Sequence, residues 1–132
     1  MAVGNLVWEI AQFPLYTIWR DGTRDHLLLA LMHGPVGDMF IAAAALMAAL
    51  AIFGDSRWPN AAFLRVAAAA VVFGLAYTIY SEWMHVEVRH TWTYSELMPR
   101  VPPLGTGLSP LLQWPVVPIL ALGAARTCSS AR

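Results

Sequence analysis

Hydrophobic and polar positions fall into long blocks along this chain. Four apolar stretches, about 4–19, 26–53, 61–84 and 108–125, are joined by short polar turns and by one longer segment, 85–107, that mixes acids, histidines, aromatics and prolines. A helix needs roughly 20 mostly apolar residues to cross a bilayer, and the third stretch meets that requirement most cleanly. The first is short and carries Pro14, so it either spans or enters as a re-entrant element; Tyr16 and Trp19 mark its end with residue types that favour the headgroup level. Asp25 is a candidate cap for the second stretch, which is longer than a bilayer requires. Gly34 and Pro35 are expected to kink or restart it, leaving 35–53 as the crossing part and 26–33 as a lead-in. Pro110, Pro115 and Pro118 are expected to bend the fourth, and 125–132 reads as a polar, mobile tail.

The expected fold is therefore all-α: an integral-membrane four-helix up-down bundle with kinked helices, a single transmembrane domain over 1–132, and 85–107 as a polar interfacial loop between helices 3 and 4. Small residues recur at helical spacing on two helices, as Gly34, Asp38, Ala42, Ala45 and Ala49 and as Ala67, Ala70, Gly74, Thr78 and Glu82. Such seams permit close backbone approach, so these two helices are expected to pack along them.

Composition strengthens this picture. The chain is 58% hydrophobic with a mean hydropathy of +0.56, which points to an integral protein of a bacterial-type plasma membrane. All eight basic residues are arginines balanced by eight acids, and no basic run is present to hold a nucleic acid backbone. The arginines divide evenly between the two sides of the expected bundle, so the positive-inside rule gives no orientation, and a cytoplasmic C-terminus is the default. Cys128 is the sole cysteine, which excludes an intramolecular disulfide and a cysteine-based zinc site. The N-terminal MAVGNLVWEIAQF lacks a basic leader region and reads as a retained helix.

Depth then locates the polar residues. Counted from the 54–60 turn at about 1.5 Å per residue, Asp38 lies ~22 Å up the second helix, Glu82 ~28 Å up the third and His33 ~30 Å. Gln12 and Gln113 belong to the same end. These positions and His85 are expected to form a polar crown roofed by 85–107, with Glu9 deeper in the first helix. Ionisable residues at a helix centre cost about 2.5–3.5 kcal/mol on insertion scales, so their presence points to function.

The chemistry offered is of two kinds. Asp38, Glu82 and His85 are the candidate catalytic groups, one carboxyl donating a proton and another group accepting it. His33, Glu82 and His85 are the candidate ligands of a metal ion, Glu82 and His85 being spaced as in the Glu-x-x-His element of bundle metal sites. Each has a plainer reading: an ion pair or cap at the helix end for Glu82 and His85, a hydrogen bond from Asp38 to Tyr77, Thr78 or Ser81, water-facing placement for His26, His33 and His90, and an interfacial belt for most tryptophans and tyrosines. Haem held by His33 and His85 is a further option.

The function this implies is binding of, or action on, a lipophilic small molecule or a metal ion near one membrane face. The alternative is an accessory subunit that docks on a membrane protein partner, or a homo-oligomer, with Trp92 to Met98 as the contact. A channel is disfavoured, because below Asp38 the second and third helices are almost wholly apolar. Neither a nucleophile elbow nor a phosphate loop is present.

Overall fold

A computed structural model describes residues 1–130, with side chains described through 127. Its elements are α1 (Ala2–Gln12), a 3-10 turn (Phe13–Leu15), α2 (Ile18–Asp21), α3 (Arg24–Phe53), α4 (Phe63–Trp83) continued by a π turn (Met84–Val88), a hairpin of β1 (Arg100–Val101) and β2 (Thr106–Gly107), and α5 (Leu108–Ser130). Three helical segments are long and apolar enough to cross a membrane: Arg24–Phe53, Phe63–Val88 and Leu108–Thr127.

The first apolar stretch is not a continuous helix. Pro14 has no amide hydrogen and its ring collides with the preceding turn, so α1 stops at Gln12 and Tyr16 is extended at φ −112°, ψ 147°. Eleven residues rise only about 16 Å, half the hydrocarbon thickness. The expected restart at Gly34 and Pro35, in contrast, is absent: α3 runs through Pro35 as one helix of 30 residues, because a bilayer-embedded helix can satisfy a freed carbonyl through its neighbours. Its cap is Thr23, whose hydroxyl accepts from the His26 amide at 3.4 Å, and not Asp25. The tail is likewise helical through Ser130; Ala131 and Arg132, and the Cys128 side chain, lie outside the described residues.

Burial along α1 is inverted relative to a water-soluble helix. Asn5 and Gln12 are buried, with Trp8 and Glu9 half-buried on the same face, while Val3, Leu6, Val7 and Ile10 are exposed. The polar face packs on α3 and α5, and an apolar face turned outward is stable only against hydrocarbon. The long helices follow the same rule, with Leu28, Leu29, Met32, Phe40 and Met47 exposed on α3 and Leu64 and Val72 on α4. α1 runs antiparallel to α3: Glu9 lies against Gly34, and Met1 shares a cavity wall with Ala42 and Leu46 further down.

Where α3 meets α4, Ala49, Val66 and Ala70 form a buried cluster flanked by Leu46, Leu50, Trp58 and Phe73. The expected small-residue seams supply Ala45 and Ala49 from one side and Ala70 and Gly74 from the other. Arg65 closes this end, its Nε donating to the Phe53 carbonyl at 2.8 Å, one of the orphan acceptors at the α3 terminus. Between α4 and α5, the Trp114 ring lies on Gly74: a Cβ there would stand 2.1 Å from Trp114 Cε3. Glycine is required because the neighbour is a rigid aromatic face.

Gly74→Ala is accordingly expected to lower unfolding stability by about 1–3 kcal/mol, the usual cost of overpacking. Gly123→Ala, where a Cβ meets nothing within 4 Å, should leave it nearly unchanged. Thermal unfolding of both variants in one mild detergent measures the difference.

Candidate functional site

The polar end of the bundle is built from three helices and a roof. On α1, Trp8, Glu9 and Gln12 share the inward face; on α3, Gly34 and Asp38 are one turn apart; on α5, Ser109 and Gln113 are also one turn apart. Chains of hydrogen bonds join them. Trp8 Nε1 donates to Ser109 Oγ at 3.2 Å, Ser109 Oγ donates to Gln12 Oε1 at 2.8 Å, Gln12 Nε2 donates to Gln113 Oε1 at 3.4 Å, and Gln113 Nε2 donates to Asp38 Oδ2. Glu9 stands beside the set, close enough to Asp38, Gln12 and Gln113 to interact with them. It packs over Gly34, where a Cβ would lie 3.1 Å from Glu9 Cδ.

Glu82 stands across from this pair at the end of α4. It is buried, and the Tyr94 hydroxyl donates to its Oε2 while accepting from the Gly107 amide at 3.0 Å. The Trp92 indole faces the same carboxyl without reaching a normal bonded geometry. Glu9, Asp38 and Glu82 are near enough to one another for each charge to be felt by another. Among the described residues no arginine or histidine forms an ion pair with any of the three.

Residues 91–98 form the roof, held by backbone pairing to the first connection. Thr17 N donates to Thr93 O at 3.0 Å and Ser95 N donates to Leu15 O at 2.8 Å, while the Thr17 and Thr93 hydroxyls bond at 2.7 Å. Val86, Tyr94 and Met98 pack beneath with Leu15, Tyr16 and Trp92. Arg100 lies over the Tyr94 ring, 5.1 Å from its centroid.

The expected crown is thus assembled in part. Gln12, Asp38, Glu82 and Gln113 converge, and Glu9 joins them. Asp38 bonds to α5 and reaches α1; the partners expected on α4, Tyr77, Thr78 and Ser81, are not the ones it takes. His33 is exposed on the outer face of α3, as is His26. His85 is turned to the roof, where Nδ1 bonds Thr91 Oγ1 at 2.7 Å and the ring stacks on Trp92 at 4.1 Å. His90 bonds the Val86 carbonyl at 2.9 Å. The expected metal set of His33, Glu82 and His85 is not gathered, and among the described residues no three His, Cys, Asp or Glu side chains are placed to hold a metal ion.

Tyr94, Trp8 and Ser109 were not legible as members of the site. All belong to types that the bilayer interface also favours or tolerates, and only the position of Tyr94 in the string W-x-Y-x-E-x-M-P sets it apart. No family model matches the chain, and neither a curated protein nor a solved structure is similar to it.

Burial pushes the Tyr94 phenol above its ordinary range, and the facing Glu82 charge pushes it further. Tyr16 is raised in the same way, by burial first and then by Glu82. A folded-state value above the unfolded one means that the unfolded chain releases its proton first as pH rises. The contribution of these two phenols is therefore complete below the ordinary tyrosine value of about 10 and falls above it. Stability of the wild type should decline above that pH by up to about 1.4 kcal/mol per unit for each phenol. Tyr94→Phe should flatten the slope, and Tyr16→Phe with Tyr94→Phe should flatten it further, as read from denaturation midpoints across an alkaline pH series.

Proposed function

We propose that this chain is a membrane-embedded protein that binds a lipophilic substrate at the Glu9–Asp38 carboxyl pair and exchanges a proton with it. The reading is supported above all by one observation. Two carboxyls from different helices lie close enough to interact inside a helical membrane protein, beside two glutamines, and among the described residues no cation pairs with either. A purely structural polar contact between helices is served by neutral amides or hydroxyls at lower desolvation cost. A pair of acids that shares one proton is instead a proton donor and acceptor in one place.

In this reading α1 is a half-length fourth member of an up-down bundle, contributing Glu9 and Gln12 and not a span. Asp38 is the group that meets the substrate, because Gln113 holds its Oδ2 in place. Glu82 is the second carboxyl, oriented by the Tyr94 hydroxyl. His85, one helical turn beyond Glu82 and half-buried beside Thr91, passes the proton to water at the headgroup face. Proton transfer needs only donors and acceptors within hydrogen-bond reach of the substrate, which the set offers without a metal ligand.

Isosteric amides separate this from a packing role. Glu9→Gln, Asp38→Asn and Glu82→Gln, purified from membranes in mild detergent, should keep their helicity and a monodisperse profile. Glu9→Gln and Asp38→Asn should lose at least about tenfold of any lipophilic molecule that co-purifies with the wild type, measured by native mass spectrometry. Equal occupancy in all four proteins, or collapse of the fold in each amide variant, would remove the proposal and leave a polar clasp that fixes helix packing.

A further inference from the structure

Directly below the carboxyl pair is a cavity of about 230 Å³ that the site does not use. Met39, Ala42 and Leu46 of α3, Ala70 of α4, and Trp114 and Pro118 of α5 line it. Its wall is apolar, and it is open on one side of the bundle. Ala42 is one helical turn, about 6 Å, from Asp38 on the same face of α3, and Trp114 follows Gln113. The cavity therefore lies about one helical turn from the polar cluster. A closed void of this size would cost the fold several kcal/mol in lost packing; a lipid solvent offers hydrocarbon to fill it.

We infer that the substrate is an amphiphile with a hydrogen-bond-donating head, an alcohol or an amine, whose head meets the carboxyl pair and whose apolar part lies in this cavity. The inference rests on reading the carboxyl pair as a binding site. Three features select this class. The volume is below the roughly 300–1,000 Å³ typical of sites for drug-sized molecules, so it takes only the apolar part of a small amphiphile. Glu9, Asp38 and Glu82 repel an anionic head, and among the described residues no arginine or histidine pairs with them to offset that repulsion. Carboxyl oxygens accept hydrogen bonds, so the head must donate one. Trp114 joins the two halves: its ring walls the cavity and is fixed in place by the close contact with Gly74.

The test uses the full chain in detergent and hexadecanol carrying a diazirine near the end of its chain. Light should attach the probe to cavity residues such as Met39, Ala42 and Pro118, read by peptide mass spectrometry. Unlabelled hexadecanol or hexadecylamine should suppress labelling, and which of them does so at lower concentration assigns the head. Hexadecyl phosphate should compete at least about tenfold less well. Ala42→Phe, which fills the cavity, should reduce labelling by a similar factor; the competition series on wild type decides the matter if that variant does not fold. Attachment in the groove lined by Phe40 and Tyr77, with labelling still lost in Asp38→Asn, would overturn the placement of the chain and keep the carboxyl site. Equal competition by the phosphate would overturn the choice of head. Labelling that is not saturable and is indifferent to both Asp38→Asn and Ala42→Phe would overturn the inference and the carboxyl reading together.

Discussion

Hydrocarbon cannot satisfy a polar group, and the upper half of this molecule follows from that constraint. Glu9, Gln12, Asp38, Ser109 and Gln113 would each be tolerable on the outside of a soluble bundle. Here they have only one another, and the helices that carry them must meet at one place. Interhelical hydrogen bonds contribute about 0.6–2 kcal/mol each, while a charged residue at depth costs about 2.5–3.5 kcal/mol. Several such bonds roughly offset the cost of placing the acids there. The network consequently specifies which faces of α1, α3 and α5 touch, and adds little net stability.

Stability comes from the other end. Around Ala49, Val66 and Ala70 the helices approach closely through small side chains, and dispersion between well-packed surfaces holds them without any polar contact. Gly74 and Trp114 form the boundary between the two regions. An indole ring pressed on bare backbone is a rigid element, so the space beneath the acids keeps its shape. Packing in one half thereby sets the geometry of the polar cluster in the other.

Much of this was legible in the sequence, and the failures have physical causes. Periodicity placed the three long helices, and a rise of about 1.5 Å per residue brought Asp38, Glu82 and Gln113 to one end, where the structure also has them. The same counting assigned His33 to the crown, because it ignored the azimuth: His33 and Asp38 are five residues apart, about 140° around the helix, so both cannot face inward. Pro35 was given the role that Pro14 plays. Both remove a donor, but Pro35 lies within a long apolar helix with neighbours at hand, whereas Pro14 lies near the polar interface, where the chain can turn into water-accessible structure. Tyr94 could not be separated from an aromatic belt, since an amphipathic ring suits an interface whether its hydroxyl faces water or a buried carboxylate.

The pairing of Leu15–Thr17 with Thr93–Ser95 ties the first connection of the chain to the third. Each is attached to a helix that supplies an acid, α1 with Glu9 and α4 with Glu82. A displacement of either loop is thus transmitted to the other as a rigid tilt of a common plate. The polar cluster is thus covered by one joined structure, and the two helices that carry Glu9 and Glu82 are coupled through it.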